Sequence, residues 1–310
     1  MSFAAFLTTF NRPQRLREVL EATLAQSRLP ERLLVVDNGD PGPTARVLES
    51  LSPSRVEIAH QPLGDNLGPA GAASFALRTL TEAGFDWIAW CDDDTPPKTS
   101  DVWARLLALA QSPPPGAPVG GVGAVGARFD WHRGELARLA DSELSGPVEV
   151  DSIGSGHQLI TSAQAIARAG LPDARLFFGF YDPEYCLRLR RAGFRLLIDG
   201  DLMRTYRELA GRLDLEIRRA HIPATPPSAF WRRYYVTRNY IFMMRRTFGR
   251  PDLARREAVK ALARALSAWL RGPRYGLGFA RHQLRGVVDG YLSRMGRTLT
   301  PVAKYGAGSA

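Results

Sequence analysis

The chain has 310 residues, 45% hydrophobic and 23% charged, with a formal net charge of +10 from 41 basic and 31 acidic side chains. That is the composition of a globular protein with a full core, long enough for one large domain or a domain with an appendage. Its two cysteines, Cys91 and Cys186, are far apart, which excludes a disulfide scaffold or structural zinc site and suits a reducing compartment.

The N-terminus, Met1 to Phe6, lacks the basic flank and long apolar core of a signal peptide. No apolar stretch approaches the roughly 20 residues that span a bilayer. The expected location is therefore the cytoplasm. Charge is uneven along the chain. Arginines are dense from Arg204 onward (Arg218, Arg219, Arg232, Arg233, Arg245, Arg246, Arg255, Arg256), whereas most acidic residues lie in the first half.

In chain order, Ala4 to Thr9 reads as a strand, followed by a Pro13-initiated helix with Leu16, Val19, Leu20 and Leu24 at helical spacing. Leu33 to Val36 is a strand ending in the turn signal Asp37-Asn38-Gly39. A helix at Thr44 to Leu51, a strand at Val56 to Ala59, a helix at Pro69 to Leu80 and a strand at Trp87 to Trp90 follow. Next come a helix at Val102 to Ala110, a Pro113–Gly116 break and one Gly-rich strand from Val119 to Arg128. Val148 to Ile198 reads strand, helix, loop, helix, strand. Repeated strand–helix units imply a mostly parallel sheet covered on both faces. Beyond Asp201 three amphipathic stretches remain, Phe230 to Thr247, Leu253 to Leu270 and Leu277 to Met295, before a frayed tail at Gly306 to Ala310.

The densest chemistry is Asp92-Asp93-Asp94, at the end of a strand holding two tryptophans. Adjacent carboxylates repel one another. Where a buried strand runs into a loop, however, alternate members face one side and their oxygens can hold a divalent cation. Ligands of open parallel sheets bind beyond the carboxyl ends of the strands, where this triplet falls. A solvated acidic turn capping the helix near Asp101 is the alternative. Thr8-Thr9-Phe10-Asn11-Arg12-Pro13 and Val35-Val36-Asp37-Asn38 end on the same edge. A polar turn feeding a helix can contact a nucleotide through backbone N–H groups, and Asp37 can accept from a base N–H. Asn66-Leu67-Gly68-Pro69-Ala70-Gly71 is a Gly-rich entry to a helix that allows close backbone approach to a ligand. Each of these is by itself common turn chemistry.

Their order, at steps of about 30 residues, resembles the family 2 glycosyltransferases with the GT-A fold. Gly154-Ser155-Gly156-His157-Gln158-Leu159-Ile160 is similar to that family's acceptor-side strand, and Phe177-Phe178-Gly179-Phe180-Tyr181-Asp182-Pro183-Glu184 to its catalytic segment. Tyr234-Tyr235-Val236-Thr237-Arg238-Asn239 resembles a stretch of its bacterial rhamnosyl- and galactofuranosyltransferases. The resemblance covers roughly Phe6 to Asn239. It implies an α/β fold of GT-A type: a Rossmann-like, mostly parallel mixed sheet flanked by helices. A catalytic domain would span 1–205, with a nucleotide-sugar half 1–112 and an acceptor half 119–205, ahead of a basic helical region 206–310.

The resemblance further implies a donor site of Thr9, Asn11, Arg12, Asp37, Asn66, Gly68, Asp92 and Asp93. Asp92 and Asp94 would hold a divalent cation, Mg²⁺ or Mn²⁺, and Asp182 would be the general base of an inverting transfer. Asp182-Pro183-Glu184 is equally a strong helix start, with Asp182 as N-cap. Glu184 is the alternative base, or a partner for Arg188 four residues on. Two departures stand out. Tyr181 replaces the acid that often precedes the base, and Asp199 to Tyr206 lacks the metal-binding histidine many relatives carry there. His157 and His221 are substitutes to be weighed, against the commoner reading of a lone histidine as surface or core.

The implied reaction carries a sugar from UDP-galactofuranose or dTDP-rhamnose to a cell-envelope glycan or lipid-linked acceptor. The rivals are a nucleotidyltransferase, whose Gly-rich, basic phosphate loop is not seen after the first strand, and a nucleic-acid-binding protein, for which no reader motif is found. Val259, Leu262, Leu266 and Leu270 form an apolar stripe expected to pack on the catalytic domain or a partner subunit. The basic, aromatic-rich helices also suit peripheral contact with an anionic membrane on its inner face. Oligomeric state stays open.

Overall fold

Every residue of the first strand, β1 (Phe3–Thr9), is buried, as expected of a central strand in a sheet covered on both faces. The computed structural model describes residues 1–310 apart from 53, 155, 157, 214–224 and 300–310. The frayed tail expected at 306–310 lies outside the described residues. Contacts divide the chain into two units, Met1–Asp173 with Asp182–Glu216, and Ala174–Tyr181 with Ile217–Ala310.

In the first unit β1 leads through α1 (Pro13–Leu24) to β2 (Arg32–Asp37), then α2 (Pro41–Ser50), β3 (Glu57–Pro62), α3 (Gly68–Glu82), β4 (Trp87–Asp92) and α4 (Val102–Gln111). The strands β5 (Val119–Gly123), β6 (Gly126–Asp130), β7 (Glu135–Ala137), β8 (Pro147–Val150), β9 (Ser152–Ile153) and β10 (Leu159–Ser162) follow. The unit closes with α5 (Ala163–Ala169), α6 (Tyr181–Arg191), β11 (Arg195–Asp199) and α7 (Gly200–Leu209). Eight strands form a mixed sheet in the order β3-β2-β1-β4-β10-β5-β11-β8. β1 to β4 run parallel, whereas β10 is antiparallel to both its neighbours. This is the expected α/β architecture.

The register sets the strand ends level. Thr8 lies opposite Asp92 on one side of β1, and Thr9 opposite Asp37 on the other. Because the chain builds outward from β1 to β3 and then returns to place β4 on β1's free side, the order reverses between β1 and β4. That reversal leaves a crevice beyond the strand ends. Beneath it, Phe3, Leu7, Leu20, Val35, Trp103 and Leu106 belong to one continuous buried core.

One expected element is corrected. The Gly-rich run Val119 to Arg128 is two strands: β5 joins the large sheet, while β6 pairs with β7 and β9 in a second, three-stranded sheet. The chain turns at Ala124-Val125, since a straight ten-residue strand would leave the sheet's buried area. Periodicity cannot register such a break where glycines carry no face preference.

The second unit is helical: α8 (Phe230–Phe242), running on into a π-turn at Met243–Thr247, then α9 (Pro251–Ser267) and α10 (Pro273–Leu292). Its polar centre is the pair Arg238-Asn239, both fully buried. The Asn239 amide nitrogen donates to the carbonyls of Leu176, Phe178 and Gly179 at 2.8–2.9 Å. Arg238 donates to Gly296 O at 2.7 Å and Leu176 O at 2.9 Å, and lies 4.6 Å over the ring of Tyr235. Burial lowers the Arg238 pKa against the opposing pull of Tyr234.

This strap fixes a tight segment in which Phe177, Gly179 and Phe180 all have positive φ, at 61°, 76° and 60°. For the two phenylalanines that backbone costs about 1–3 kcal/mol each and persists only where its surroundings over-determine it. Asn239→Ala takes the amide donor from the carbonyls of Phe178 and Gly179, while Leu176 O keeps Arg238. It should lower unfolding free energy by about 2–4 kcal/mol, read from the urea midpoint at unchanged m.

Candidate active site

At the β1/β4 crevice the three carboxylates divide. Thr8 and Thr9 point to opposite faces of β1, so each meets a different acid. Thr8 Oγ1 donates to Asp92 Oδ1 at 3.1 Å, and Thr9 Oγ1 to Asp93 Oδ2 at 2.8 Å. Asp93 is buried and accepts again from the Phe10 N–H and from Arg12, whose Nη1 lies 3.1 Å from Asp93 and 3.0 Å from Asp94. Burial holds the Asp93 carboxyl above the ordinary aspartate range despite its Arg12 and Thr9 partners, and Asp94's charge adds to the rise. Arg12 is shifted upward: burial alone would lower it, but the charges of Asp93 and Asp94 outweigh that. Asp94 is largely exposed and accepts from Thr95 as well.

The expected alternation is therefore present. Asp93 turns inward, while Asp92 and Asp94 stay at the crevice. Asp92 and Asp94 offer oxygen atoms only, a donor set that fits a hard divalent cation. Such ions commonly take one or two carboxylates and complete their shell with substrate phosphates and water. Among the described residues no three His, Cys, Asp or Glu side chains converge into a fuller shell. His157 and His221 lie outside the described residues. Asp199, in the segment without histidine, caps α7 and takes a two-pronged bond from Arg105, both contacts at 2.8 Å.

The loops around the crevice are stitched to one another. Asn11, itself at φ 55°, accepts from the Asp40 N–H at 2.9 Å, tying the end of β1 to that of β2. Asn38 accepts from the Leu67 N–H at 3.0 Å, and Asn66 accepts from the Gly68 N–H at 2.9 Å, so the Gly-rich entry of α3 hangs on the end of β2. Asp37 is fully buried. One of its oxygens takes the Gly39 N–H at 2.8 Å; the other, without a hydrogen-bond donor, lies 3.5 Å from His60 Nε2.

The antiparallel strand β10 brings the far half of the chain to the same edge. Its first residue, Leu159, pairs with Trp90, so the loop before it lies beyond the end of β4. A Cβ added to Gly156 would fall 2.9 Å from Thr95 Oγ1 and 3.6 Å from Asp92 Oδ2. Gln158, buried, accepts from Trp103 Nε1 at 2.8 Å and from the Cys91 thiol at 3.2 Å, and donates to Thr95 O. Three residues before Gly156, Ile153 exchanges contacts with the Cys186 sulfur of α6 at 3.4–3.5 Å. One helical turn back from Cys186 is Asp182, half-buried in the first turn of α6, so that α6 is tied to the loop facing the triplet.

α6 begins at Tyr181, which sets Asp182 one residue inside the helix rather than at the N-cap. Glu184 is buried, with Arg188 Nε donating to it at 2.7 Å. Arg188 also binds the carbonyls of Ala169 and Leu171. That is the partner role foreseen for Glu184. Burial pushes the Cys91 thiol up, with Asp92's charge adding, and lifts the Cys186 thiol to about 12, so neither is a thiolate near neutral pH.

Sequence reasoning missed Thr8, His60 and Gln158. Thr8 was visible in the strand-end motif, but only the register with β4 pairs it with Asp92. Gln158 stood within the Gly154 to Ile160 motif without a role of its own, and nothing local marks His60.

Residues 5–152, the stretch from β1 to β9 that carries the crevice, form a glycosyl transferase family 2 domain by their match to that family's model. A galactofuranosyltransferase, GlfT1, of Mycobacterium tuberculosis is 32% identical over 209 residues, covering 62% of this chain and 66% of that protein. The Mycolicibacterium smegmatis protein of the same name is 30% identical over 206 residues, 61% of this chain and 65% of that one. The chain thus spans just under two thirds of these relatives' length. Among solved structures, a mannosyltransferase of Pyrobaculum calidifontis in complex with GDP-Man and Mn²⁺ matches with a TM-score of 0.55, 16% identity and coverage of 94% of this chain and 87% of that one. GalNAc-T7 with UDP, GalNAc and Mn²⁺ matches with a TM-score of 0.52 and 14% identity over 64% of this chain and 42% of that one. At such identities these two speak to the fold, which is of the GT-A type.

Arg12→Ala should strand the Asp93 carboxylate. At neutral pH the loss should be about 2 kcal/mol, below that for a fully buried pair because Arg12 keeps some solvent contact. The missing cation matters only while Asp93 is ionised, so the difference from wild type should shrink as pH falls through the raised Asp93 pKa. Paired thermal melts at neutral and acidic pH check this, and a gap that widens in acid would contradict it.

Proposed function

We propose that the chain is an inverting galactofuranosyltransferase that moves its sugar from UDP-galactofuranose to a cell-envelope glycan or lipid-linked acceptor. The observation carrying this reading is the division of the acidic triplet at the β1/β4 crevice. Asp93 is buried against Thr9 and Arg12, while Asp92 and Asp94 lie at the edge beyond the strand ends. Of the two donors left open by the sequence, the galactofuranosyltransferase relatives favour UDP-galactofuranose over dTDP-rhamnose.

Asp92 and Asp94 are the residues that would hold a divalent cation, Mg²⁺ or Mn²⁺. That cation, when bound, neutralises charge on the departing diphosphate. Asp37 would accept a base N–H with its second oxygen, supported by that atom's lack of a donor. Thr9, Arg12 and Asp93 act as the frame of the donor site. Asn11, Asn66 and Gly68 shape the loops that would hold the nucleoside. Asp182 would take the proton of the acceptor hydroxyl as its oxygen attacks the anomeric carbon on the face opposite the leaving nucleotide. The Glu184–Arg188 ion pair supports Asp182 over Glu184 in that role. The reaction would run in the cytoplasm, at the inner face of the cell membrane.

Asp94→Ala should weaken Mn²⁺-dependent binding of UDP-sugars by at least about tenfold in calorimetry. Asp182→Asn should keep donor binding and lower transfer by roughly 10³-fold. Indifference of the wild-type protein to every nucleotide sugar, alongside firm nucleic-acid binding, would defeat the enzyme reading. Substantial turnover surviving in Asp182→Asn would move the base elsewhere.

A further inference from the structure

Whereas α8 buries most of its aromatic residues, α9 and α10 carry most of their leucines and valines outward. In α9 the inward face is Leu253, Ala254, Ala261 and Ala265, all buried, followed by buried Ala268 just beyond the helix. On the opposite side Val259, Leu266 and Leu270 are 64%, 72% and 90% exposed, with Leu262 and Trp269 exposed beside them. At 3.6 residues per turn these form one stripe directed away from the packed face. Within the unit it is the alanines that pack on α8.

α10 repeats the plan. Its inward glycines let backbones meet: a Cβ at Gly286 would fall 2.8 Å from Tyr234 O, and one at Gly290 2.8 Å from Arg238 O. Leu277, Leu284, Val288 and Leu292 are exposed on the other side. Both helices pack on α8, so both outward faces point away from it.

Ordinary amphipathic helices have the reverse pattern. Close packing explains the inward alanines and glycines; it does not explain the leucines in water. Exposed arginine and lysine side chains flank the stripes at Arg255, Lys260, Arg271, Arg274 and Arg281. From residue 225 to 299 there are sixteen Lys and Arg against three Asp and Glu. Those three acids are paired within the unit: Asp252 with Arg250, Glu257 with Arg264, and Asp289 with Arg285 and Arg294. The rim of the apolar face is thus strongly cationic, and it would repel an identical face on a second copy. Among the described residues no helix is long and apolar enough to cross a membrane. An apolar stripe with a basic rim and a tryptophan at its end is the pattern of a helix lying in a lipid interface.

We propose that the outward face of α9 and α10 is a docking surface for an anionic lipid bilayer. The leucines and Trp269 enter the headgroup–acyl boundary, and the rim contacts lipid phosphates. The face names the surface by which the proposed transferase would meet a lipid-linked acceptor, and its test reads binding without turnover, so it is decided separately from the transfer reading.

Flotation with vesicles of phosphatidylcholine alone, or with about 30% phosphatidylglycerol, tests it. The full chain should float with the anionic vesicles, stay behind with the neutral ones, and release as salt rises. Leu266→Gln with Leu270→Gln should lower binding by roughly 100-fold. Arg255→Gln with Lys260→Gln should lower it by roughly 10- to 30-fold. All four positions are exposed, so circular dichroism melts should match wild type. If the leucine pair fails to fold, Trp269→Gln alone serves as the apolar variant. Absence of flotation with anionic vesicles, equal flotation with both kinds, or undiminished binding by the apolar variant would overturn the proposal. So would a dimer in sedimentation velocity that the leucine variant dissolves, which would make the face an interface between copies.

Discussion

Three consecutive carboxylates at the end of a buried strand are an electrostatic problem, and the Arg12–Asp93 pair is its solution. The pleat sends Asp93 into the protein, where Thr9, the Phe10 N–H and Arg12 meet it. One guanidinium also spans to Asp94, which lowers the repulsion between neighbours without removing Asp94 from the edge. Burial keeps the Asp93 carboxyl reluctant to ionise, so the arginine is what makes the inward turn tolerable. All else at the crevice presupposes this lock, because it joins β1 and β4 at the place where the strand order reverses.

From that lock outward, short side chains carry the organisation. Asn11, Asn38 and Asn66 each accept a backbone N–H from the next loop or the next residues, so neighbouring strand ends hold one another in place. Gln158 does the same from the other direction, joining Trp103, Cys91 and Thr95 around one buried amide. The antiparallel β10 is what allows this, since only a strand running the opposite way delivers its leading loop to the carboxyl edge. The end of β4 and the start of β10 are thereby joined by buried hydrogen bonds as well as by strand pairing.

The helical unit follows a different logic. Its interior joins buried Phe230, Tyr234, Tyr235, Ile241 and Phe242 of α8 to one polar strap, Arg238-Asn239, which satisfies the carbonyls of a segment with two phenylalanines at positive φ. Against that centre α9 and α10 turn mainly alanine and glycine, while most of their leucines stay exposed and gain nothing from burial. Stability there comes from the buried aromatic cluster, close backbone packing and the buried polar network.

Much of this was legible in the sequence. The alternation of strand and helix follows from periodicity, and the acidic triplet, Asp37, Asn66 and Asp182 were visible because they stand at strand and helix ends where turn chemistry is distinctive. The apolar stripe of Val259, Leu262, Leu266 and Leu270 was legible as a stripe, and the structure adds that it faces away from α8. Periodicity reports that a face exists, and not which medium it meets. The split of Val119 to Arg128 into strands of two different sheets was hidden because glycine-rich runs carry no face signal. The triplet's division, Thr8 on Asp92 and the reach of Gln158 needed the tertiary structure, since register between strands some 80 residues apart is set by the whole core and leaves no local mark. The sequence alone determined which carboxylates the chain brings to a strand end; the packing of the sheet decided which of them turns inward and which stay at the edge.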